Sequence, residues 1–277
     1  TRPRAEGHMQ LHIRHETHYV YEETVSYSIQ SLKLTPRSDP GQRVVSWRVT
    51  SPGERIEQID PYGNLMHVVT LEQPHREASI VVEGVAEISD VVEATPETSR
   101  LSPLVYLAPT SLTRPDAALR ALADHCLGRH PASRRSLADL ADSIRHVVAY
   151  TPGVTDVSHS ASEVLELGVG VCQDQAHVLV ACCRAAGIPA RYVSGYFHAG
   201  DSGEIASHAW ADVWLGADQG WLSLDVTHAE ETGGRHCRLA VGRDYLDAAP
   251  VRGVRRGGGR EAMTVTVRVS GGQAGQQ

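Results

Sequence analysis

The stretch Gly168-Val169-Gly170-Val171-Cys172-Gln173-Asp174 decides what this chain can fold into and which chemistry it can support. Two glycines break the backbone ahead of Cys172, and helical spacing then relates the apolar positions Ala176, Leu179, Val180 and Cys183. This pattern predicts a loop that turns into a helix, with Cys172 as the first residue of the helix. A helix N-terminus offers unpaired N–H groups and a partial charge of about +0.5, which favour the nucleophilic thiolate form of cysteine.

A histidine and an aspartate follow, each at the edge of a predicted strand. His208 stands in the motif SHAW (207–210), and Asp225 ends the strand pattern WLSLD (221–225). A histidine near a thiol can hold its proton, and an acid on the second ring nitrogen fixes the tautomer and orientation of that histidine. Cys172, His208 and Asp225 are therefore predicted to act as nucleophile, base and orienting residue. His177 is an alternative base, but it lies further along the helix of Cys172 and points away from the thiol.

The remaining cysteines and a group of histidines lack such a context. Four cysteines are interpreted as small buried hydrophobes: Cys126, Cys182, Cys183 and Cys237. Five cysteines with no CxxC motif and no signal-peptide pattern indicate a reduced, cytoplasmic protein. His15 faces opposite to His12 and His18 on a strand, so solvated side chains are favoured over a metal site. The sequence thus predicts no metal and no cofactor.

The bulk composition restricts the partners of the protein. The chain has 277 residues, a hydrophobic content of 41% and a net charge of −7, which fit one or two domains with substantial cores. The negative charge disfavours binding to nucleic acid and to anionic membranes. No stretch reaches the roughly 18 apolar residues of a membrane span. A peptide or protein substrate is the expected partner, and the oligomeric state is left open.

Alternation of apolar and polar residues predicts β-structure in the N-terminal part. The alternation runs over 11–21, 45–49 and 80–88, and turn signals separate these segments. We predict an antiparallel β-sandwich over residues 9–100. Residues 1–8 read poorly as structure ahead of Met9 and are interpreted as a remnant outside the natural fold.

Helical spacing begins after residue 112. Helix starts are predicted at 113–116, at a capping box of Ser136 and Asp139, and at a second box of Ser160 and Glu163. Strands are expected over 191–197, 209–215, 221–225 and 264–269. The Gly-rich stretch 253–259 is expected to be a solvated loop, although its Arg255 and Arg256 could bind a substrate carboxylate. These elements define a second domain over residues 101–270, followed by a flexible tail at 271–277.

Around the cysteine, the chain resembles the bacterial transglutaminase-like superfamily, a branch of the papain-like cysteine enzymes. The motifs that carry the resemblance are GVCQD (170–174), GIPARYVSGY (187–196) and SHAW (207–210), with YTPGVTD (150–156), GRDY (242–245) and PVRG (250–253) around them. HET (15–17), LTPR (34–37) and YGN (62–64) are similar to the β-rich N-terminal domain that accompanies this branch. The resemblance covers nearly the whole chain.

The resemblance implies an α+β protein, with an antiparallel β-sandwich followed by a transglutaminase-like, papain-like catalytic domain of helices and an antiparallel sheet. It implies Cys172 as nucleophile, His208 as base and Asp225 as orienting residue. Motif residues beside them are expected to line the substrate cleft: Gly170, Gln173, Asp174, Ser207 and Trp210. Two departures bear on the shape of the cleft. The chain has Val226-Thr227-His228 where Pro-Thr-Asn is common, and Gln175 where an aromatic residue or histidine is usual.

Three functions are compatible with these residues. A cysteine-dependent amide or peptide hydrolase acting through a thioester is preferred, because water is always present and no dedicated amine site is recognisable. A transglutaminase would resolve the same thioester with an amine. A non-catalytic binding or scaffold protein is the third alternative, and it would require a degenerate triad.

Overall fold

The computed structural model describes residues 7–90, 94–96, 101–128, 132–200 and 207–273. Within these ranges the strands are β1 (His8–Leu32), β2 (Gln42–Thr50), β3 (Glu54–Ile59), β4 (Leu65–Leu71), β5 (His75–Ser89), β6 (Ala149–Tyr150), β7 (Val169–Gly170), β8 (Ala190–Phe197), β9 (Ser207–Trp214), β10 (Trp221–Asp225), β11 (Glu230–Glu231), β12 (His236–Gly242), β13 (Val251–Gly257) and β14 (Glu261–Gln273). The helices are a 3-10 helix (Pro103–Leu107), α1 (Ala117–Leu127), α2 (Arg134–Val147), α3 (Ala161–Leu167), α4 (Cys172–Ala185) and α5 (Tyr245–Ala248). A β-rich N-terminal part followed by helices and a second sheet confirms the predicted fold class.

The long strand β1 is the centre of the N-terminal sheet. Its first half pairs with β5 and β14, and its second half pairs with β4 and β13. The pairing shifts register between Val20 and Val25, where β1 passes from one group of neighbours to the other. The groups β2-β5-β1-β14 and β3-β4-β1-β13 are thus two arms of one antiparallel sheet. Leu11, Val69 and Ile80 of the two arms share one buried cluster, so a sandwich-like core forms around a common strand.

The C-terminal strands correct the predicted domain boundary. Residues 101–270 were expected to form the catalytic domain and 253–259 a loop, whereas β13 and β14 pair with β1 in the N-terminal sheet. The side chains of β13 are largely exposed, so its sequence lacks the alternation that marks a half-buried strand. Gly257, Gly258 and Gly259 lie at the interruption between β13 and β14, which continue in the same direction along β1, and all three have positive φ.

The two ends of the described chain also differ from the prediction. His8 begins β1, and the Gly7 carbonyl accepts a hydrogen bond from the Asp90 N–H, so both residues belong to the fold. β14 continues to Gln273, past the predicted start of a flexible tail at 271. Residues 1–6 and 274–277, which those predictions also cover, lie outside the described residues.

The second domain packs helices against a five-stranded antiparallel sheet of order β11-β10-β9-β8-β12. The helix α4 lies against β8 and β9, and α1, α2 and α3 contact its other sides. Residues 174–184 of α4 are all buried, which explains why Val178, Leu179 and Val180 follow one another without a polar face. No helix among the described residues is long and apolar enough to cross a membrane.

Short sequence motifs predicted most of the helix starts correctly. α4 begins at Cys172, and Ser160 and Glu163 form the predicted capping box of α3. The box predicted to start at Ser136 is wrong, because α2 begins earlier with Ser133 as its N-cap. Ser136 is the third residue of that helix, and its hydroxyl accepts the Ser133 N–H at 2.9 Å. Ser136 therefore supplies the N3 side of the capping box, and Ser133 supplies the N-cap.

The two domains meet along β12, which is an edge strand of the second sheet. Gln42 and Asn64 of the N-terminal domain point their side-chain carboxamides at the backbone of this strand. Gln42 pairs with both the N–H and the carbonyl of Arg238, and Asn64 pairs with both groups of Val241. Two side chains thus cover an edge that would otherwise need another strand.

Candidate active site

Cys172 is partly exposed at the N-terminus of α4. The Asp174 carboxylate accepts the Val171 N–H at 2.8 Å and the Thr155 hydroxyl at 2.6 Å, and these bonds fix the first turn of the helix. Gly170 is required here, because a Cβ atom at this position would lie 2.8 Å from the Asp174 Cβ. Burial raises the pKa of Asp174 against the opposing effect of its two hydrogen bonds. The local sequence therefore holds the thiol at a rigid helix start.

His208 lies near the start of β9 between the thiol and a carboxylate. Its Nε2 is 2.7 Å from the Asp225 Oδ2, and the Cys172 thiol lies near the same ring. Burial lowers the pKa of His208, but the interactions with Asp225 and Cys172 outweigh burial and raise the pKa to about 10. The imidazolium is thus favoured at neutral pH, and an adjacent imidazolium stabilises a thiolate.

Asp225 ends β10 and is buried. Its Oδ2 accepts from three imidazoles: His208 Nε2 at 2.7 Å, His228 Nδ1 at 2.7 Å and His236 Nε2 at 2.9 Å. Burial disfavours the charged form, yet these three hydrogen bonds hold the pKa of Asp225 well below its usual range. The carboxylate therefore keeps its charge in the protein interior.

His228 and His236 are site residues that the sequence analysis missed. From the sequence, His228 is noticed only as a departure from Pro-Thr-Asn, although a donor three residues after Asp225 is within reach of its carboxylate. His236 belongs to no recognised motif. Its contact with Asp225 arises only when β12 takes its place in the sheet, and no local pattern signals that placement.

The two additional histidines have different surroundings. The His236 Nδ1 accepts the Gly233 N–H at 3.3 Å, so its Nε2 carries the proton that is donated to Asp225. Burial lowers the pKa of His236, which keeps this imidazole neutral. His228 is partly exposed and stacks on Phe197, with ring centroids 4.1 Å apart. One neutral buried imidazole and one at the surface therefore support the same carboxylate.

Three histidines and a carboxylate also have the composition of a metal centre. Their potential ligand atoms lie within 4.8 Å of one another. However, three ring nitrogens converge on the single Oδ2 of Asp225, as donors to an anion do. To offer Nε2 to a metal, His236 would also have to give up the hydrogen bond from the Gly233 N–H. The cluster fits a hydrogen-bond network around a carboxylate better than a cation site.

The two sequence departures contact each other. Gln175 is buried in α4, where its Nε2 donates to the Val148 carbonyl at 2.9 Å and its Oε1 accepts the Thr227 hydroxyl at 2.7 Å. Thr227 precedes His228, so the Gln175 carboxamide ties the loop after Asp225 to the helix of the nucleophile. These hydrogen bonds therefore fix the loop after Asp225 relative to α4.

The residues predicted to line the cleft divide into two groups. Gln173 and Ser207 are partly exposed, next in sequence to the nucleophile and the base, and their contact with substrate stays a prediction. Asp174 and Trp210 are buried, and their place in the substrate cleft likewise stays a prediction. Gly170 is buried as well and makes room for the Asp174 side chain.

His177, which was the alternative base, and the four other cysteines lie outside the group of Cys172, His208 and Asp225. His177 is buried, its Nε2 accepts the Tyr245 N–H at 3.0 Å, and burial lowers its pKa to about 3. Cys182, Cys183 and Cys237 are buried, as expected, whereas Cys126 is partly exposed. All five cysteines are free thiols, and the cytoplasmic location inferred from the sequence stays a prediction.

Two further sequence features belong to the N-terminal sheet. His15 is buried rather than solvated, with Nδ1 2.8 Å from the Tyr196 hydroxyl and Nε2 3.0 Å from the Thr17 hydroxyl. Arg255 lies on β13, where its Nε donates to Glu261 at 3.1 Å. Neither feature reaches the nucleophile.

Comparison with known proteins shows which family the chain matches. Residues 120–226 match the family model of the transglutaminase-like superfamily, and residues 11–87 match that of the bacterial transglutaminase-like N-terminal region. An uncharacterized protein of Mycobacterium leprae is 33% identical over 280 residues, which cover 94% of this chain and 98% of that protein. A protein-glutamine gamma-glutamyltransferase of Pseudomonas aeruginosa is 33% identical over 155 residues, 49% of this chain and 22% of that protein. A solved structure from Cytophaga hutchinsonii, provisionally assigned as a cysteine protease, superposes with a TM-score of 0.77 at 21% identity and covers 99% of this chain and 93% of its own.

Proposed function

This chain belongs to the transglutaminase-like superfamily, and from that premise we propose that it is a cysteine-dependent amide or peptide hydrolase. Membership makes it a transglutaminase-like enzyme, and proteins are the substrate class of that superfamily. The observation that carries the proposal is the position of His208, which lies near the Cys172 thiol and is hydrogen-bonded at 2.7 Å to a buried, ionised Asp225. These residues are the proposed nucleophile, acid–base and orienting group.

Acylation begins with attack of the Cys172 thiolate on an amide carbonyl, which forms a carbon–sulfur bond. N–H groups at the start of α4 stabilise the oxyanion of the tetrahedral intermediate, and each such donor typically lowers the barrier by about 2.7–4 kcal/mol. The His208 imidazolium then donates its proton to the departing nitrogen as the carbon–nitrogen bond breaks. The products of this half-reaction are an amine or ammonia and a thioester on Cys172.

Hydrolysis of the thioester restores the enzyme. Neutral His208 takes a proton from water as the water oxygen attacks the thioester carbonyl, and the carbon–sulfur bond then breaks. The acid leaves, Cys172 returns as thiolate and His208 as imidazolium. Asp225 stays ionised throughout and holds the ring through Nε2.

A transglutaminase reaction is the second candidate, and the sequence relationship to the glutamyltransferase of Pseudomonas aeruginosa favours it. A primary amine would replace water in the second half-reaction, and the amide substrate would be a glutamine side chain. The nucleophile, the base and the orienting residue would have the same roles in both reactions.

A peptide library incubated with and without a primary amine, and analysed by mass, tests both reactions. Wild type is compared with Cys172→Ala, and Cys126→Ala is the matched control because that thiol is partly exposed too. Cleaved or deamidated peptides that require Cys172 support the hydrolase, and amine-bearing peptides support the transglutaminase.

Two outcomes would contradict these reactions. Turnover that survives in Cys172→Ala refutes both of them. No turnover, combined with an alkylation rate of Cys172 no higher than that of an ordinary thiol at about pH 6.5, would favour the binding or scaffold role instead.

A further inference from the structure

We propose that the N-terminal domain is a positioning element of the active site, because it holds β12 in the register that brings His236 to Asp225. The inference rests on the proposed function for its meaning in catalysis. Its evidence is a set of contacts outside the triad, which runs from two carboxamides of the N-terminal domain to the buried carboxylate.

Gln42 and Asn64 bind β12 as a neighbouring strand would. The Gln42 Nε2 donates to the Arg238 carbonyl at 2.9 Å, and its Oε1 accepts the Arg238 N–H at 2.7 Å. The Asn64 Nδ2 donates to the Val241 carbonyl at 2.7 Å, and its Oδ1 accepts the Val241 N–H at 2.8 Å. Both carboxamides are buried, so breaking either pair leaves two backbone groups without partners in the interior.

The two pairs stand on either side of an irregularity in β12. Pairing with β8 shifts register between Arg238 and Ala240, as at a β-bulge, and bulges redirect the side chains around them. Cys237 and Leu239 point into the buried cluster of the N-terminal domain. The N-terminal domain therefore specifies both the backbone path of β12 and the faces on which its side chains lie.

His236 is the first residue of β12 and lies two positions before Arg238, so its direction follows from that path. Its Nε2 donates to Asp225 at 2.9 Å, and the Glu230 carboxylate lies 3.9 Å from the same nitrogen. His208 and His228 donate to the same Asp225 oxygen. Displacement of β12 would remove one of three donors from that oxygen and loosen the carboxylate that orients His208.

A double-mutant cycle between Gln42→Met and His236→Phe tests this coupling. Methionine keeps the length of the glutamine side chain but cannot form the two hydrogen bonds to Arg238 or the third one, from Nε2 to the Arg37 carbonyl. The readout is the rate of Cys172 alkylation by iodoacetamide as a function of pH, which requires no substrate. We expect Gln42→Met to slow alkylation at about pH 6.5 by about tenfold, the equivalent of one hydrogen bond to a charged group. In the His236→Phe background the same change should have less than about a twofold effect.

A matched control separates positioning from general stability. Tyr62→Phe also removes a hydrogen bond between the domains, from the Tyr62 hydroxyl to Asp247 on α5, but it keeps the ring that packs near Val241 and both carboxamide pairs with β12. It should lower the melting temperature without changing the alkylation profile. If Gln42→Met does not fold, Gln42→Asn withdraws the carboxamide by one methylene and replaces it in the cycle.

Two results would overturn the inference: equal effects of the Gln42 change in both backgrounds, or a profile for Tyr62→Phe that matches that of Gln42→Met. Turnover that survives in Cys172→Ala would instead refute the proposed function and leave the measured coupling intact. The two proposals are therefore tested separately.

Discussion

Neutralising the buried carboxylate is the sharpest test of the site. Asp225→Asn keeps the shape of the side chain but removes the charge that faces three imidazoles. The amide also presents an N–H group where at least one histidine now donates. His208 therefore loses its counter-charge, and its imidazolium becomes less stable.

The size of the effect follows from the pKa of His208. That pKa lies at about 10 against an ordinary 6.5, and the gap of 3.5 (10 − 6.5) corresponds to roughly 5 kcal/mol. Cys172 contributes to the same gap, so the loss of the Asp225 charge removes only part of it, on the order of 2 kcal/mol. A loss of that size lowers the population of the ion pair by about 30-fold.

Alkylation of Cys172 by iodoacetamide across the pH range measures this population. In Asp225→Asn the rate at about pH 6.5 should fall by about 30-fold. Asp116→Asn is the control, since it neutralises a carboxylate that caps α1 by accepting the Leu119 N–H at 2.8 Å. It should change the alkylation rate by less than about twofold. An unchanged profile in Asp225→Asn would refute the assigned role of the carboxylate.

Substitutions at three other positions test separate contacts. Burial lowers the pKa of His15 to about 4 from 6.5, so the unfolded chain binds the proton first and the fold loses roughly 3 kcal/mol between about pH 6.5 and 4. In His15→Gln this loss should be smaller when denaturant unfolding is compared at the two pH values, and an equal loss would contradict a buried neutral imidazole. Gly170→Ala places a Cβ atom 2.8 Å from that of Asp174, so it should cost roughly 2 kcal/mol in thermal unfolding and slow the alkylation of Cys172. Ser160→Ala removes the capping box of α3 and should cost about 1 kcal/mol without changing the alkylation rate, and a slower rate would show that α3 controls the thiol.

The three proposed catalytic residues could be placed from the sequence because each one stands where local signals mark an element boundary. Glycines and a change of period mark the start of α4 at Cys172, and strand patterns place His208 and Asp225 at strand ends. The structure places His208 near the Cys172 thiol and in a hydrogen bond to Asp225, and their catalytic roles stay a prediction.

The rest of the site depends on the order of strands, which no local pattern contains. His236 meets Asp225 only because β12 lies beside β8, and the support from Gln42 crosses between domains. β13 was missed for a related reason, because an exposed edge strand needs no apolar alternation and its arginines and glycines resemble a loop. Sequence reasoning therefore succeeds where neighbours along the chain decide the structure, and it fails where distant strands do.

The position of β13 and β14 beside β1 has a consequence for synthesis. On that side, β1 remains an open edge until residues 251–273 have left the ribosome, so the N-terminal sheet is completed after the domain that interrupts it in sequence. Pairing between such distant segments is slow, and an unpaired edge invites association with other chains. A product that stops at residue 250 would expose this edge along most of β1. The C-terminal strands thus complete the N-terminal sheet last, because only a chain that carries them covers that side of β1.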